Sequence, residues 1–350
     1  MIELKKLLAD QNIQALVVTN LVNVRYLSGF SGSAAILVVA AEGCTIITDF
    51  RYREQMQREL QITAETIIAD SGMDAALLQF LQRFDTIAFE GNYLTAGKFA
   101  QYRQQMPDKQ LTLLDIDQLR LIKTPQEIQK LRRAAFIANQ AFTQMLAETK
   151  PAMSELDFAA TLEFYARRLG AAKMSFDTIV ASGANSALPH AKPTYKVFES
   201  GDLVTVDFGV VYQGYCSDMT RTFAIGRLND RQKEIYHVVQ RAQSEALAAV
   251  KSGMPAKAID NIARSIITEA GYGEYFGHAT GHGVGLDIHE NPRIAAASEV
   301  ILRPGMVITI EPGIYIPGVG GVRIEDLVVV TEDGSDVLTA EITKELLEIY

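Results

Sequence analysis

The sequence predicts an α+β protein in two domains, a smaller α/β domain over 1–120 and a larger one over 121–350. Three observations carry this. With 350 residues, 48% of them hydrophobic and 21% charged, the chain is long enough for two cores and has the make-up of an ordinary soluble globular protein. Its first third alternates helical and strand-like stretches, whereas the rest shows one pattern twice, two helices followed by strands. Between the two lies "KTPQEIQK", where Thr124 as N-cap, Pro125 at the first helical position and Glu127 form a capping box that opens a long helix.

In the first third, "IELKKLLADQ" reads as a helix, "ALVVTN" as a strand, and "AAILVVA" with "GCTIITDF" as a strand pair. "YREQMQREL" and "DAALLQFLQRF" read as helices and "TIAFEG" as another strand. This part holds no histidine and no clustered motif, so a structural or access-limiting role is expected. The helix over 124–148 follows from the stripe Ile128, Leu131, Ala135, Ala138, Phe142 and Met145, spaced by threes and fours. A second helix over 154–169 leads to strands that end in the hairpin "VTVDFGVVYQGYCSDMTRT" at 204–222. Helices over 230–250 and 256–270, then the strand-like "GMVITIEPGIYI" and "GVRIEDLVVV", echo that order.

Bulk properties exclude several classes of partner. A net charge of −9 argues against nucleic acid or an anionic membrane surface, and the basic "KLRRA" lies on a helix as a solvated face. The longest apolar run, "AAILVVAA", is too short to span a bilayer, and Lys5, Lys6 and Asp10 interrupt the first residues where a signal peptide would be apolar. A cytoplasmic protein is expected. Cys44 and Cys216 both sit in strand-like runs and give no disulfide framework; Cys216 reads as a buried thiol.

The chemistry gathers in the second domain. With a turn centred on Tyr212-Gln213, the hairpin sets Asp207 opposite Asp218, and such opposed like charges cost about 0.2–1 kcal/mol. Acids recur 104 and 107 residues on, as Glu311 and Glu325, the latter sharing a strand face with Arg323. Four of the five histidines, His190, His278, His282 and His289, stand beside glycine or proline in loop-like segments; His237 sits on the solvated side of a helix. His278 and His282 have the i, i+4 spacing of a helical zinc motif, but Ala279 occupies the glutamate position and the surrounding glycines disfavour a helix. Four buried carboxylates with an imidazole would repel as bare anions, and divalent cations remove that problem. The oxygen-rich set favours Mn2+, Co2+, Fe2+ or Zn2+ over a thiolate zinc site, and its size suits two ions about 3.5–4 Å apart.

In order along the chain, "SFDTIVASGANSALPHAKPT", "VDFGVVYQGYCSDMTRT", "GHATGHGVGLDIHENP", "TIEPGIY" and "GVRIEDLVVV" resemble the Xaa-Pro peptidases, that is aminopeptidase P, prolidase and their relatives with the pita-bread fold. The N-terminal part is more loosely similar to the creatinase-like domain that precedes the catalytic domain in these enzymes. The resemblance implies that Asp207, Asp218, His282, Glu311 and Glu325 bind two divalent ions, Mn2+ foremost with Co2+, Zn2+ or Fe2+ as alternatives. It implies substrate-binding and catalytic roles for His190, His278 and His289, with Glu311 also carrying a proton and Arg323 holding Glu325 ionised and oriented. Proline-containing peptides are the implied substrates and a homodimer the implied assembly. "NVRYLSGFSGS" and "TDFRYREQ" look more like aminopeptidase P-type proteins, so release of the residue ahead of proline is the first expectation. An Xaa-Pro dipeptidase (prolidase) is the alternative, and a non-catalytic peptide-binding homologue a remoter one.

Overall fold

In the computed structural model, which describes residues 1–70 and 72–350, the chain divides into two units, Met1–Leu119 and Arg120–Tyr350. The first holds a single mixed sheet of β1 (Ala15–Val18), β2 (Ile36–Ala40), β3 (Cys44–Thr48), β4 (Ala64–Ile68), β5 (Thr86–Glu90) and β6 (Gln110–Leu114), in the order β4-β3-β2-β1-β5-β6. Because successive side chains point to opposite faces, Leu16, Val18, Leu37 and Val39 pack with Leu4 and Leu8 of the helix Ile2–Asp10. Val17, Val38, Ile87 and Phe89 turn the other way, towards Leu77 and Leu81 of the helix Met73–Leu81. Burial on both faces explains why the central strands are continuous apolar runs rather than alternating ones.

The second unit is built from two similar halves. The first has the helices Pro125–Glu148 and Glu155–Arg168, followed by β7 (Lys173–Met174), β8 (Ile179–Ser182), β9 (Leu203–Phe208), β10 (Val210–Tyr212), β11 (Tyr215–Cys216) and β12 (Met219–Ile225). The second has the helices Asp230–Ala248 and Ala256–Glu269, followed by β13 (Gly281–Gly283), β14 (Glu290–Ile294), β15 (Val307–Ile310), β16 (Gly313–Ile316), β17 (Gly320–Arg323), β18 (Asp326–Val330), β19 (Ser335–Val337) and β20 (Glu348–Ile349). Both long helices open with a capping box, Thr124 with Glu127 and Asn229 with Gln232. The sheets β20-β12-β9-β8 and β14-β13-β15-β18-β19 are largely antiparallel, which makes the unit α+β as expected. Each half has its own core of helix and sheet side chains. Among the described residues no helix is long and apolar enough to cross a membrane.

The hairpin differs from expectation in register. Its turn is Gln213-Gly214, not Tyr212-Gln213, and pairs Tyr212 with Tyr215, Phe208 with Met219, and Asp207 with Thr220 rather than with Asp218. The reason lies in the turn: both central residues have positive φ, 49° at Gln213 and 91° at Gly214, as two-residue hairpin turns require, and glycine takes that conformation without strain. A shift of partner by two residues leaves every side chain on its face, so Asp207 and Asp218 still lie on one side of the ribbon. Close to Asp218 the two arms approach so nearly that a Cβ on Gly209 would lie 1.8 Å from the Ser217 carbonyl oxygen.

Candidate metal centre

Asp207 is the penultimate residue of the buried strand β9, Asp218 directly precedes β12, Glu311 directly follows β15, and Glu325 lies between β17 and β18. The β15–β18 ladder ends on the pair Ile310 and Asp326, and Glu311 and Glu325 are the residues next beyond it on the two chains. His282 comes from β13, which pairs with β15. Each half thus delivers two carboxylates, and the second half adds the imidazole. One oxygen each of Asp218 and Glu325 and one nitrogen of His282 lie within 4.8 Å of one another. His282 Nε2 is 3.6 Å from Asp218 Oδ2 and 3.4 Å from Glu311 Oε1.

The hydrogen bonds fix what these atoms offer. His282 Nδ1 donates to the Gly283 carbonyl at 3.0 Å, which leaves the Nε2 lone pair facing the carboxylates. Thr309 Oγ1 donates to Glu311 Oε1 at 3.1 Å and Thr220 Oγ1 to Glu325 Oε2 at 2.7 Å. Asp207 Oδ2 accepts from Arg323 Nη2 at 2.7 Å, while its Oδ1 is buried with no hydrogen-bond partner. Arg323 is expected to hold Glu325; its charge does act on Glu325, but its hydrogen-bonded carboxylate is Asp207, and its hydrogen-bonded route to Glu325 runs through Thr220, whose Oγ1 accepts from Arg323 Nε at 3.0 Å. β16 and β17 form a separate two-stranded ribbon, and that ribbon, not the strand of Asp326, sets the direction of Arg323.

The other predicted residues lie around this cluster. His289 packs edge-on against His282, with ring centroids 4.4 Å apart. His278 Nδ1 donates to the Ala279 carbonyl, so its Nε2 accepts from the Tyr315 hydroxyl at 2.9 Å, and that hydroxyl in turn accepts from Arg323 Nη1 at 2.9 Å. His190 is exposed on the loop after β8, close enough for its charge to act on His278; the preceding Pro189 carbonyl accepts from Arg323 Nη1 at 3.2 Å. His237 is exposed on its helix, as expected, and Cys216 is a buried thiol pushed up to about 11 by burial.

Electrostatics match the geometry. Burial, reinforced by the neighbouring carboxylates, holds Asp218 and Glu325 well above the usual carboxylate range, and burial pushes Glu311 up to about 8 against the pull of Arg323. Burial lowers both His278 and His282 to about 4, with Arg323 and His190 adding to the effect on the first, and His289 and Arg293 on the second. Burial raises Tyr315 to about 12, so it stays a donor to His278. Carboxylate oxygens and an imidazole nitrogen converging within 4.8 Å, and a buried orphan oxygen on Asp207, fit a divalent cation bound by oxygen and imidazole ligands.

Residues 129–332 match the model of metallopeptidase family M24, and residues 2–122 match the creatinase/prolidase N-terminal domain. The chain belongs to metallopeptidase family M24. Its pita-bread fold, preceded by the creatinase-type domain, agrees with the expectation from the motifs, and as an Xaa-Pro peptidase of this family it is a metal-dependent hydrolase. An Xaa-Pro dipeptidase of Pyrococcus furiosus is 41% identical over 341 residues, 96% of each chain. Among solved structures, an Xaa-Pro dipeptidase from Bacillus anthracis is 41% identical with a TM-score of 0.94, covering 99% of this chain and 98% of that one. An X-Pro aminopeptidase from Thermotoga maritima is 36% identical with a TM-score of 0.89, covering 97% of this chain and 98% of that one.

Sequence reasoning did not single out Tyr315, Thr220 or Thr309. Tyr315 stands inside the quoted "TIEPGIY", but a tyrosine or threonine in a strand reads as a β-former. Only the three-dimensional arrangement shows the hydroxyls placed against the acids and His278.

Proposed function

We propose that this M24 protein is an Xaa-Pro dipeptidase that uses two divalent cations, Mn2+ foremost, held by Asp207, Asp218, His282, Glu311 and Glu325. The observation that carries the substrate assignment is the likeness over 96% of both chains to a protein named Xaa-Pro dipeptidase. It favours the dipeptidase alternative over the aminopeptidase P type that the sequence first suggests. Exposed Arg293 supports the same choice: it stands opposite His282 in the β13–β14 ladder, and its charge acts on that imidazole. A dipeptide brings a free carboxylate within one residue of the scissile bond, and a guanidinium beside the site is a suitable partner for it.

Divalent cations held by these ligands supply a water acidified towards neutrality and polarise the scissile carbonyl. Glu311 takes the proton of the attacking water and delivers it to the proline nitrogen, which carries no N–H until the bond breaks. His190 or His289 donates to the oxyanion that develops on the Xaa carbonyl. Arg323 and Tyr315 keep Asp207 and His278 in place.

The test uses Mn2+-loaded protein with an Xaa-Pro dipeptide and an Xaa-Pro-Yaa tripeptide, following release of proline and of free Xaa. Cleavage of the dipeptide alone is expected. Release of Xaa from the tripeptide at a comparable kcat/KM returns the assignment to the aminopeptidase P type, the second reading, which the Thermotoga maritima structure favours. No turnover of either leaves a peptide-binding homologue.

A further inference from the structure

Glu155 opens the helix Glu155–Arg168 outside the acidic cluster, and it is wholly buried. A buried carboxylate is costly unless donors surround it. Oε1 accepts from the Ser182 N–H at 2.7 Å, from Ser182 Oγ at 2.8 Å and from Asn185 Nδ2 at 3.1 Å. Oε2 accepts from the Thr194 N–H at 3.0 Å and from Thr194 Oγ1 at 2.6 Å, with Asn185 Nδ2 at 3.3 Å. One side chain therefore ties together both ends of the segment 182–194. In the middle of that segment stands His190, whose neighbour Pro189 is held through its carbonyl by Arg323.

The other half repeats the device. Asp260 on the helix Ala256–Glu269 is wholly buried, and its Oδ1 accepts from the Thr280 N–H at 3.1 Å and from Thr280 Oγ1 at 2.8 Å. It also holds Arg264 through both of its oxygens, and Arg264 donates to the carbonyls of Phe276 and His278. In each half the second helix thus places a buried carboxylate on a threonine N–H and hydroxyl of a segment that carries a site histidine, His190 in one and His278 in the other.

We propose that Glu155 is a positioning residue, which sets His190 over the acidic cluster by closing the segment 182–194. The proposal rests on the reading that His190 acts on the substrate. Charge and shape both matter, because each oxygen faces a backbone N–H and a neutral amide presents an N–H2 to one of them whichever way it turns. Glu155→Gln is therefore not a conservative change.

The test is a double-mutant cycle on the Mn2+-loaded full chain, with kcat and KM measured on an Xaa-Pro dipeptide for wild type, Glu155→Gln, His190→Ala and the double variant. Glu155→Gln is expected to lower kcat/KM by about tenfold or more, as displacement of a reacting group does. On the His190→Ala background the same change is expected to cost less than about threefold, because its effect runs through His190. Equal losses on both backgrounds, or no loss on either, would overturn the proposal while leaving His190 in its role. Wild-type kinetics of His190→Ala would overturn that role and the proposal with it. If Glu155→Gln does not fold, Thr194→Val removes one donor and keeps the carboxylate, and the same cycle decides by the same criteria.

Discussion

The two oxygens of Asp207 are in unlike positions: Oδ2 is satisfied by Arg323, and Oδ1 is buried and unpaired. The guanidinium that holds Oδ2 also bonds the Tyr315 hydroxyl, which itself donates to His278. Tyr315→Phe removes that hydroxyl and leaves a buried donor and a buried acceptor facing a ring edge. The expected loss is about 1–2 kcal/mol, or about five- to thirtyfold in kcat/KM, with bound metal unchanged. Steady-state kinetics together with metal analysis test it, and a Tyr315→Phe enzyme with wild-type rates would show that the bridge does not matter. This residue also marks what the sequence could convey. The acids and histidines were legible because titratable groups beside glycine and proline are unusual in a core, whereas Tyr315, Thr220 and Thr309 look like ordinary strand residues until the fold brings them to the acids. Arg323 was legible as a residue of the site but not as the partner of Asp207, because strand parity fixes a face and not a neighbour.

At the scale of elements, the hairpin shows where parity succeeds and register fails. Its alternating pattern placed Asp207 and Asp218 on one side correctly, but the pattern is equally compatible with a turn one residue earlier; the left-handed backbone of Gln213 and Gly214 decides between them. Gly214→Ala puts a Cβ on a residue at φ 91°, at an expected cost of about 1–2 kcal/mol, with the loss appearing in denaturant unfolding as a lower midpoint at unchanged slope. An unchanged midpoint would mean that the turn relaxes into another form and does not fix the register. The N-terminal unit shows a different limit. Strands β1, β2, β3 and β5 were legible as apolar runs, while the edge strands β4 and β6, "AETII" and "QLTLL", are half exposed and carry too weak a pattern to stand out.

For the whole molecule, the acidic cluster ties folding, metal and pH together. Glu311 at about 8, with Asp218 and Glu325 also raised, means that the metal-free fold prefers these groups protonated. A raised folded value contributes stability that is present below the unfolded value near 4.5 and is lost as pH rises through about 8. His278 and His282 act oppositely: lowered from 6.5 to about 4, they contribute stability above 6.5 that is lost as pH falls through about 4. Metal-free protein should therefore melt lower at about pH 9 than at about pH 6, while below about pH 6 the three acids and the two histidines act in opposition. Cations bind the carboxylates in their ionised form, so loading releases protons and offsets the alkaline loss. The separation in Tm between Mn2+-loaded and chelated protein should then widen from about pH 6 to about pH 9, by about 2–4 °C for each kcal/mol of linkage in a unit of this size. Thermal melts across that range, with a parallel count of protons released on adding Mn2+, measure both sides of the linkage. Curves that stay parallel, with no proton release, would mean that the ions bind somewhere other than among Asp218, His282, Glu311 and Glu325.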